Sequence, residues 1–215
     1  MLKIGWSTKD FTPARPAMLQ GQKHRRIAHK AMDPLTVTAM AIEGGKPADG
    51  AIVVSCALAL ITDPIRDGAR KQLAKRLPSF DTDKLVLNAT HTHNSLVTHG
   101  GGYEPPGPEV MTPAECLSLL LDAIVDAAAE AWERRAPQAV GRAFGHAVVG
   151  HNRRAVYADG HAEMYGKTNR SDFVWVEGPA DHTMDMLFTW SPKGRLTGVA
   201  LSIPCPSQVD ENLEE

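Results

Sequence analysis

The 215-residue sequence has no long apolar run, no basic run, few aromatic residues and only three cysteines. Each of these absences excludes something. No stretch approaches the ~18 apolar residues of a membrane span, and the start, MLKIGWSTKDFTP, lacks the apolar core of a secretory signal. The chain is therefore expected to be soluble and cytoplasmic. Lys and Arg are scattered and the net charge is −2, so no field gathers nucleic acid or an anionic membrane. Cys56, Cys116 and Cys205 are odd in number and widely spaced, which argues against a disulfide framework and suits a reducing compartment. Their ordinary fate is burial as small apolar side chains. What remains is a globular composition, 43% hydrophobic and 22% charged, in a length that suits one domain over residues 1–215.

Two apolar runs, TVTAMAIEGG and AIVVSCALALI, flank the turn-forming GGKPADG and read as neighbouring strands. The second is apolar on both faces and is expected to be covered on both sides. Asp63-Pro64 is placed to cap a helix, IRDGARKQLAKRL, whose last turn is basic as the helix dipole favours. KLVLNAT follows as another strand. This strand, helix, strand order predicts an α/β fold, a layered mixed sheet with flanking helices, and it puts LNATHTHNS at the carboxyl end of a strand, where ligands collect in open α/β sheets.

VTHGGGYEPPGPEVMTP is a Gly- and Pro-rich loop beside that strand end, either a lid or a plain connector. Thr112-Pro113-Ala114-Glu115 marks a helix start, with Thr as N-cap, Pro at the first position and Glu three after the cap. Apolar residues at three- and four-residue spacing carry that helix to about Arg135. Beyond it, AVYADGHAEMY carries a hairpin signal at Asp159-Gly160, and MDMLFTW, SPKG and LTGVALSI predict a second hairpin that delivers Cys205 at its end. No linker divides the chain. With neither a terminal helix nor a closing strand in view, the domain is expected to be incomplete as given.

His91 and His93, two apart at a strand end, are placed to bind zinc or to pair one ligand with one acid/base group; two hydrogen-bonded histidines at a strand terminus is the plainer alternative. Zinc needs three or four protein ligands, so the pair is not a site alone. Cys205, held between Pro204 and Pro206, is a candidate thiolate ligand or a buried thiol. His151 is a reserve ligand, His161 is expected at the surface, and His24 and His29 lie in QKHRRIAHK, read as a solvated loop. Arg153 and Arg154 point oppositely on a strand, so one at most faces a site and the other is a surface arginine.

Taken in order, GWSTKDFTP, MLQG, DPLTVTAMAIEGG, VVSCALALI and above all LNATHTHNS resemble the neutral/alkaline, non-lysosomal ceramidase family; GHNRR, DHTMDMLFTW and LSIPCPSQV continue the resemblance. It implies a zinc amidase acting on the acyl bond of a small molecule, with His91 as a metal ligand, His93 as its active-site neighbour and Arg153 as the arginine of an N-R motif near a substrate or product carboxylate. Cys205 takes the place of a second ligand histidine, a change of softness and charge that alters the metal's electrophilicity. The family's glutamate and tyrosine ligands and its serine motif lie downstream of this chain, Ala57 stands where an acidic residue is expected, and the loop after Asn94 departs from S-G-P-G. The resemblance therefore implies a ceramidase-like bacterial relative of unassigned substrate. With Tyr103, Val110 and Met111 as the loop's apolar residues, the substrate is expected to be smaller or more polar than ceramide. The alternatives are a non-catalytic relative keeping the scaffold and a partial metal site, or an assembly, a homo-oligomer included, in which a partner supplies the missing ligands.

Overall fold

The computed structural model describes residues 2–45, 49–100, 102–104 and 107–208. The chain divides into two compact units, one of residues 1–140, 189–198 and 206–215, the other of 141–188 and 199–205.

The first unit is built on a five-stranded mixed sheet. Its strands are β1 (Lys3–Asp10), β4 (Thr36–Glu43), β5 (Ala51–Cys56), β6 (Leu85–Ala89) and β7 (Ala136–Pro137), in the order β6-β5-β4-β1-β7. A two-stranded ribbon, β2 (Ala17–Met18) with β3 (Ile27–Ala28), lies outside that sheet. β4 and β5 pair antiparallel, as their alternation predicts, across a turn of which residues 46–48 lie outside the described residues. β5 and β6 are parallel, which obliges the chain to cross over through α1 (Asp63–Arg76).

The α/β reading and this crossover match the expectation; two details do not. The cap of α1 is Thr62 rather than Asp63, with Asp63 and Pro64 inside the first turn. β5 stops at Cys56 and buries alternate residues, Ile52, Val54 and Cys56, so its two faces are not equally covered. Alternation, not a continuous apolar run, describes the strand once Ala57–Ile61 are assigned to the loop.

The second helix of this unit, α2 (Pro113–Glu133), starts as its sequence predicts: Thr112 Oγ1 accepts from Glu115 N and the Glu115 carboxylate accepts from Thr112 N, a complete capping box. Its buried stripe, with Leu120, Ile124 and Ala128, packs with Val37, Ala39, Ile52, Val54 and α1's Leu73 into one core. Each large side chain there contributes ~1.5–3 kcal/mol by leaving water. Helix and sheet approach closely at Gly5 of β1, where a Cβ would lie 2.0 Å from the Ala131 carbonyl oxygen. Cys56 and Cys116 belong to this core, and burial pushes their thiols up to about 12 and about 11.

The second unit carries the Asp159-Gly160 hairpin, β9 (Arg154–Tyr157) with β10 (Ala162–Met164), to which β11 (Phe173–Val176) adds as a third strand with a bulge at Val174. β8 (Ala139–His146), β12 (Thr183–Trp190) and β13 (Leu196–Ser202) form a three-stranded sheet in the order β13-β12-β8. The SPKG turn joins β12 to β13, as predicted. Among the described residues no helix is long and apolar enough to cross a membrane.

Candidate functional site

β6 ends at Ala89, and His91 follows where the chain turns off the sheet with φ of 57°, left-handed backbone that an L residue adopts at a cost of order 1–3 kcal/mol. The loop is tied down on both sides. Thr90 N donates to Cys56 O at 3.0 Å and Thr92 N to Leu58 O at 3.2 Å, while Gln20 N donates to Ser95 O and Val97 N to Met18 O. The His motif is thus held between the end of β5 and the segment 17–21.

The two imidazoles lie 5.2 Å apart between ring centroids, at 62° to one another. Their hydrogen bonds make them unlike. His91 Nδ1 lies 2.6 Å from the Ala59 carbonyl, which can only accept, so Nδ1 carries the proton and Nε2 keeps its lone pair. A ring fixed through Nδ1 to a backbone carbonyl is the arrangement by which proteins orient a ligating histidine. His91 is also exposed. For His93 the position is reversed: the Gln208 amide nitrogen donates to His93 Nε2 at 2.7 Å, so that lone pair is engaged.

Residues that sequence reasoning passed over hold His93 in place. Gly21, with φ of 114°, lies under its ring; a Cβ there would be 2.3 Å from His93 Cγ. Arg26 is buried and donates to the backbone carbonyls of His93 and Gln20 and to Asn94 Oδ1, the last two at 3.0 Å. QKHRRIAHK therefore is not a solvated loop throughout: His24 and His29 are exposed, and Arg26 between them is a buried clamp. Nothing in the local sequence distinguishes the arginine that turns inward. Gln208 likewise gives no sequence signal.

The second unit carries Arg153 and Cys205. Arg153 precedes β9, donates to Tyr165 Oη at 2.6 Å and lies over the Tyr165 ring at 5.1 Å, while Arg154 pairs with Glu177. Asn152 reaches the carbonyls of Glu177, Gly178 and Pro179 at 2.8–2.9 Å and so fixes the bend of GHNRR. Cys205 is a partly exposed thiol whose sulfur lies against the backbone of Gly150, where a Cβ would be 3.3 Å away. His151 and His182 stand 6.0 Å apart. His161 is exposed and stacks on Tyr157.

As to a metal, His91 has the tautomer, exposure and anchoring of a ligand. Among the described residues, however, no three His, Cys, Asp or Glu side chains stand together to hold an ion. The residues present fit one ligand position and not a shell.

No family model and no curated protein matches the chain. Solved structures do. The neutral ceramidase from Pseudomonas aeruginosa superposes with a TM-score of 0.70 at 17% identity over 96% of this chain, and a ceramidase described as complexed with C2 superposes with a TM-score of 0.69, also at 17% identity and over 96%. The fold is ceramidase-like. At that identity the likeness concerns the fold. The chain spans about a third of the ceramidase chains, 31% of one and 32% of the other.

Proposed function

We propose that the chain carries part of one catalytic domain of a zinc-dependent hydrolase acting on an amide or related acyl bond of a small molecule. The observation that carries this reading is His91: an exposed imidazole at the end of a parallel strand, fixed through Nδ1 so that Nε2 points a lone pair outward, in a ceramidase-like fold. Bound zinc would supply Lewis-acid activation of water and carbonyl. His91 would hold it through Nε2, with Cys205 the second ligand that the family resemblance implies. His93, its lone pair engaged by Gln208, orients the substrate or passes a proton, and Arg153 receives an anionic or developing oxyanion group. The cytoplasm suits Cys56, Cys116 and Cys205, all thiols.

The test is zinc analysis by mass spectrometry together with turnover of fluorogenic N-acyl amides, on the chain and on His91→Ala. Zinc that co-purifies and is lost with turnover in His91→Ala supports the reading; protein without zinc, or indifferent to the substitution, overturns it. The lack of a three-donor cluster among the described residues favours a second reading, a scaffold that keeps a partial metal site without catalysis. Zinc binding with no turnover, alone or in an assembly sized by light scattering, selects that one.

A further inference from the structure

Among the described residues two that are not glycine take left-handed backbone, His91 at φ of 57° and Tyr165 at φ of 58°. Such backbone costs an L side chain free energy and persists only where its surroundings over-determine it, and outliers of this kind collect at functional sites. His91 is the candidate ligand. At Tyr165 the surroundings fix the turn but not the residue type. Tyr165 follows β10 directly and leads into Gly166, whose N donates to Glu163 O at 3.2 Å. A Cβ at Gly166 would lie 2.4 Å from Oη of the buried Tyr157, so the turn sits directly on that side chain. Left-handed backbone is open to glycine at no steric cost and to asparagine more readily than to a bulky aromatic. Burial does not offset the cost, because Tyr165 is 71% exposed.

What the side chain does touch is Arg153. The β9–β10 ladder closes at Met164↔Arg154, and one step beyond it Tyr165 N donates to Arg153 O at 2.7 Å. At the other end of the same arginine, Nη1 donates to Tyr165 Oη at 2.6 Å, and the guanidinium lies 5.1 Å from the ring centroid. One tyrosine thus grips Arg153 by its main chain and by its head. Arg153 is exposed, and an exposed arginine otherwise samples many rotamers, whose loss counts against any ligand that has to order it. The neighbouring Arg154 shows the contrast. It pairs with the Glu177 carboxylate, which offsets charge as it fixes the side chain, whereas a phenol hydroxyl fixes a guanidinium and adds no charge of its own.

We propose that Tyr165 is a positioning residue: its strained backbone aims ring and hydroxyl at Arg153 and keeps the guanidinium ordered for an anionic group before that group arrives. The inference rests on the role given to Arg153 in the hydrolase reading above.

Nuclear magnetic resonance of the isotope-labelled chain tests this without turnover. The Arg153 Nε–H signal, assigned by its loss in Arg153→Lys, reports order through its heteronuclear NOE, and titration with hexanoate reports anion binding. In the parent that NOE is expected to approach the backbone value. In Tyr165→Phe, which keeps the ring and loses the hydroxyl, and in Tyr165→Gly, which loses both, it is expected to fall by roughly half or more. Hexanoate should bind about threefold more weakly or worse in each, the scale of ordering one long side chain. Tyr165→Gly, relieved of strain, should keep or raise its melting temperature, so that its losses are not those of unfolding. An Arg153 signal as ordered in both variants as in the parent overturns the proposal. A lowered melting temperature in Tyr165→Gly with unchanged hexanoate affinity also overturns it, since that is the pattern of a structural tyrosine. Hexanoate binding that Arg153→Lys abolishes and neither Tyr165 variant changes keeps the role of Arg153 and sinks that of Tyr165. Order lost in Tyr165→Phe, in a protein that binds no hexanoate, does the reverse.

Discussion

In the first unit Ile4, Val37, Ile52, Leu120 and Ile124 have no exposed surface, whereas in the second the buried apolar side chains are Ala155 and Tyr157 alone among the described residues. The second unit is not poor in apolar residues. Phe144, Val148, Trp175 and Leu201 are each more than half exposed. The difference lies in what covers the strands: α2 lies against the first sheet and α1 packs on α2, while β9–β11 has no helix in its own unit. The second unit relies instead on local polar and aromatic contacts, with His161 stacked on Tyr157 at 4.6 Å, Arg170 over the same ring at 4.2 Å, and ion pairs such as Arg142 with Asp185. Exposed ion pairs of this kind contribute ~0–1 kcal/mol each. The lesson for function is that His91 and His93 belong to the unit with the large apolar core, and Arg153 and Cys205 to the one with few buried apolar side chains.

This contrast can be broken or sharpened by substitution. The largest effect is expected from Ile124→Ala, which leaves a cavity under α2 and should cost about 2–5 kcal/mol in urea unfolding; a loss below ~1 kcal/mol would mean that the first unit's core is not what stabilises it. A smaller effect concerns acid. Lys9 and Ser7 hydrogen-bond the Glu130 carboxylate of α2 and hold it down to about 2, below its ordinary 4.5. A depressed folded-state value stabilises the fold above the ordinary value and loses that contribution as pH falls towards about 2, so the urea midpoint should drop over that window and drop less in Glu130→Gln. An unchanged slope in the variant would remove Glu130 from the account. Smallest of all is Val174→Thr on β11, half exposed, expected within about 0.5 kcal/mol of the parent; a cost of several kcal/mol would show that this strand is covered in solution.

Legibility from sequence followed the same line. α2 was readable to within two residues because its capping box and its apolar stripe agree, and the βαβ crossover was readable because helix and strand periods differ. β1 gave less away: Ser, Thr and Lys interrupt KIGWSTKD, and only the register Gly5↔Ala41 and Ser7↔Ala39 reveals that its small residues make room for α2. At the site, the motif itself stood out in the sequence, while Gly21, Arg26 and Gln208 did not. Their contribution comes from contacts over long separations, 68 residues between Arg26 and Asn94 and 115 between Gln208 and His93, which no local pattern encodes.

The chain leaves the first unit after Val140, returns for Thr189–Gly198, leaves once more and comes back at Pro206. The second unit is thus an insertion fastened at several places along the chain, not an appendage on a single tether. A protease that nicks the exposed turn at Asp159-Gly160 would yield two fragments, each of which retains a strand or segment of the first unit, Lys3–Asp10 in one and Thr189–Gly198 in the other. Native gel mobility would then survive a cut that a denaturing gel reveals, which makes this hairpin a natural point at which to split the polypeptide into complementing halves.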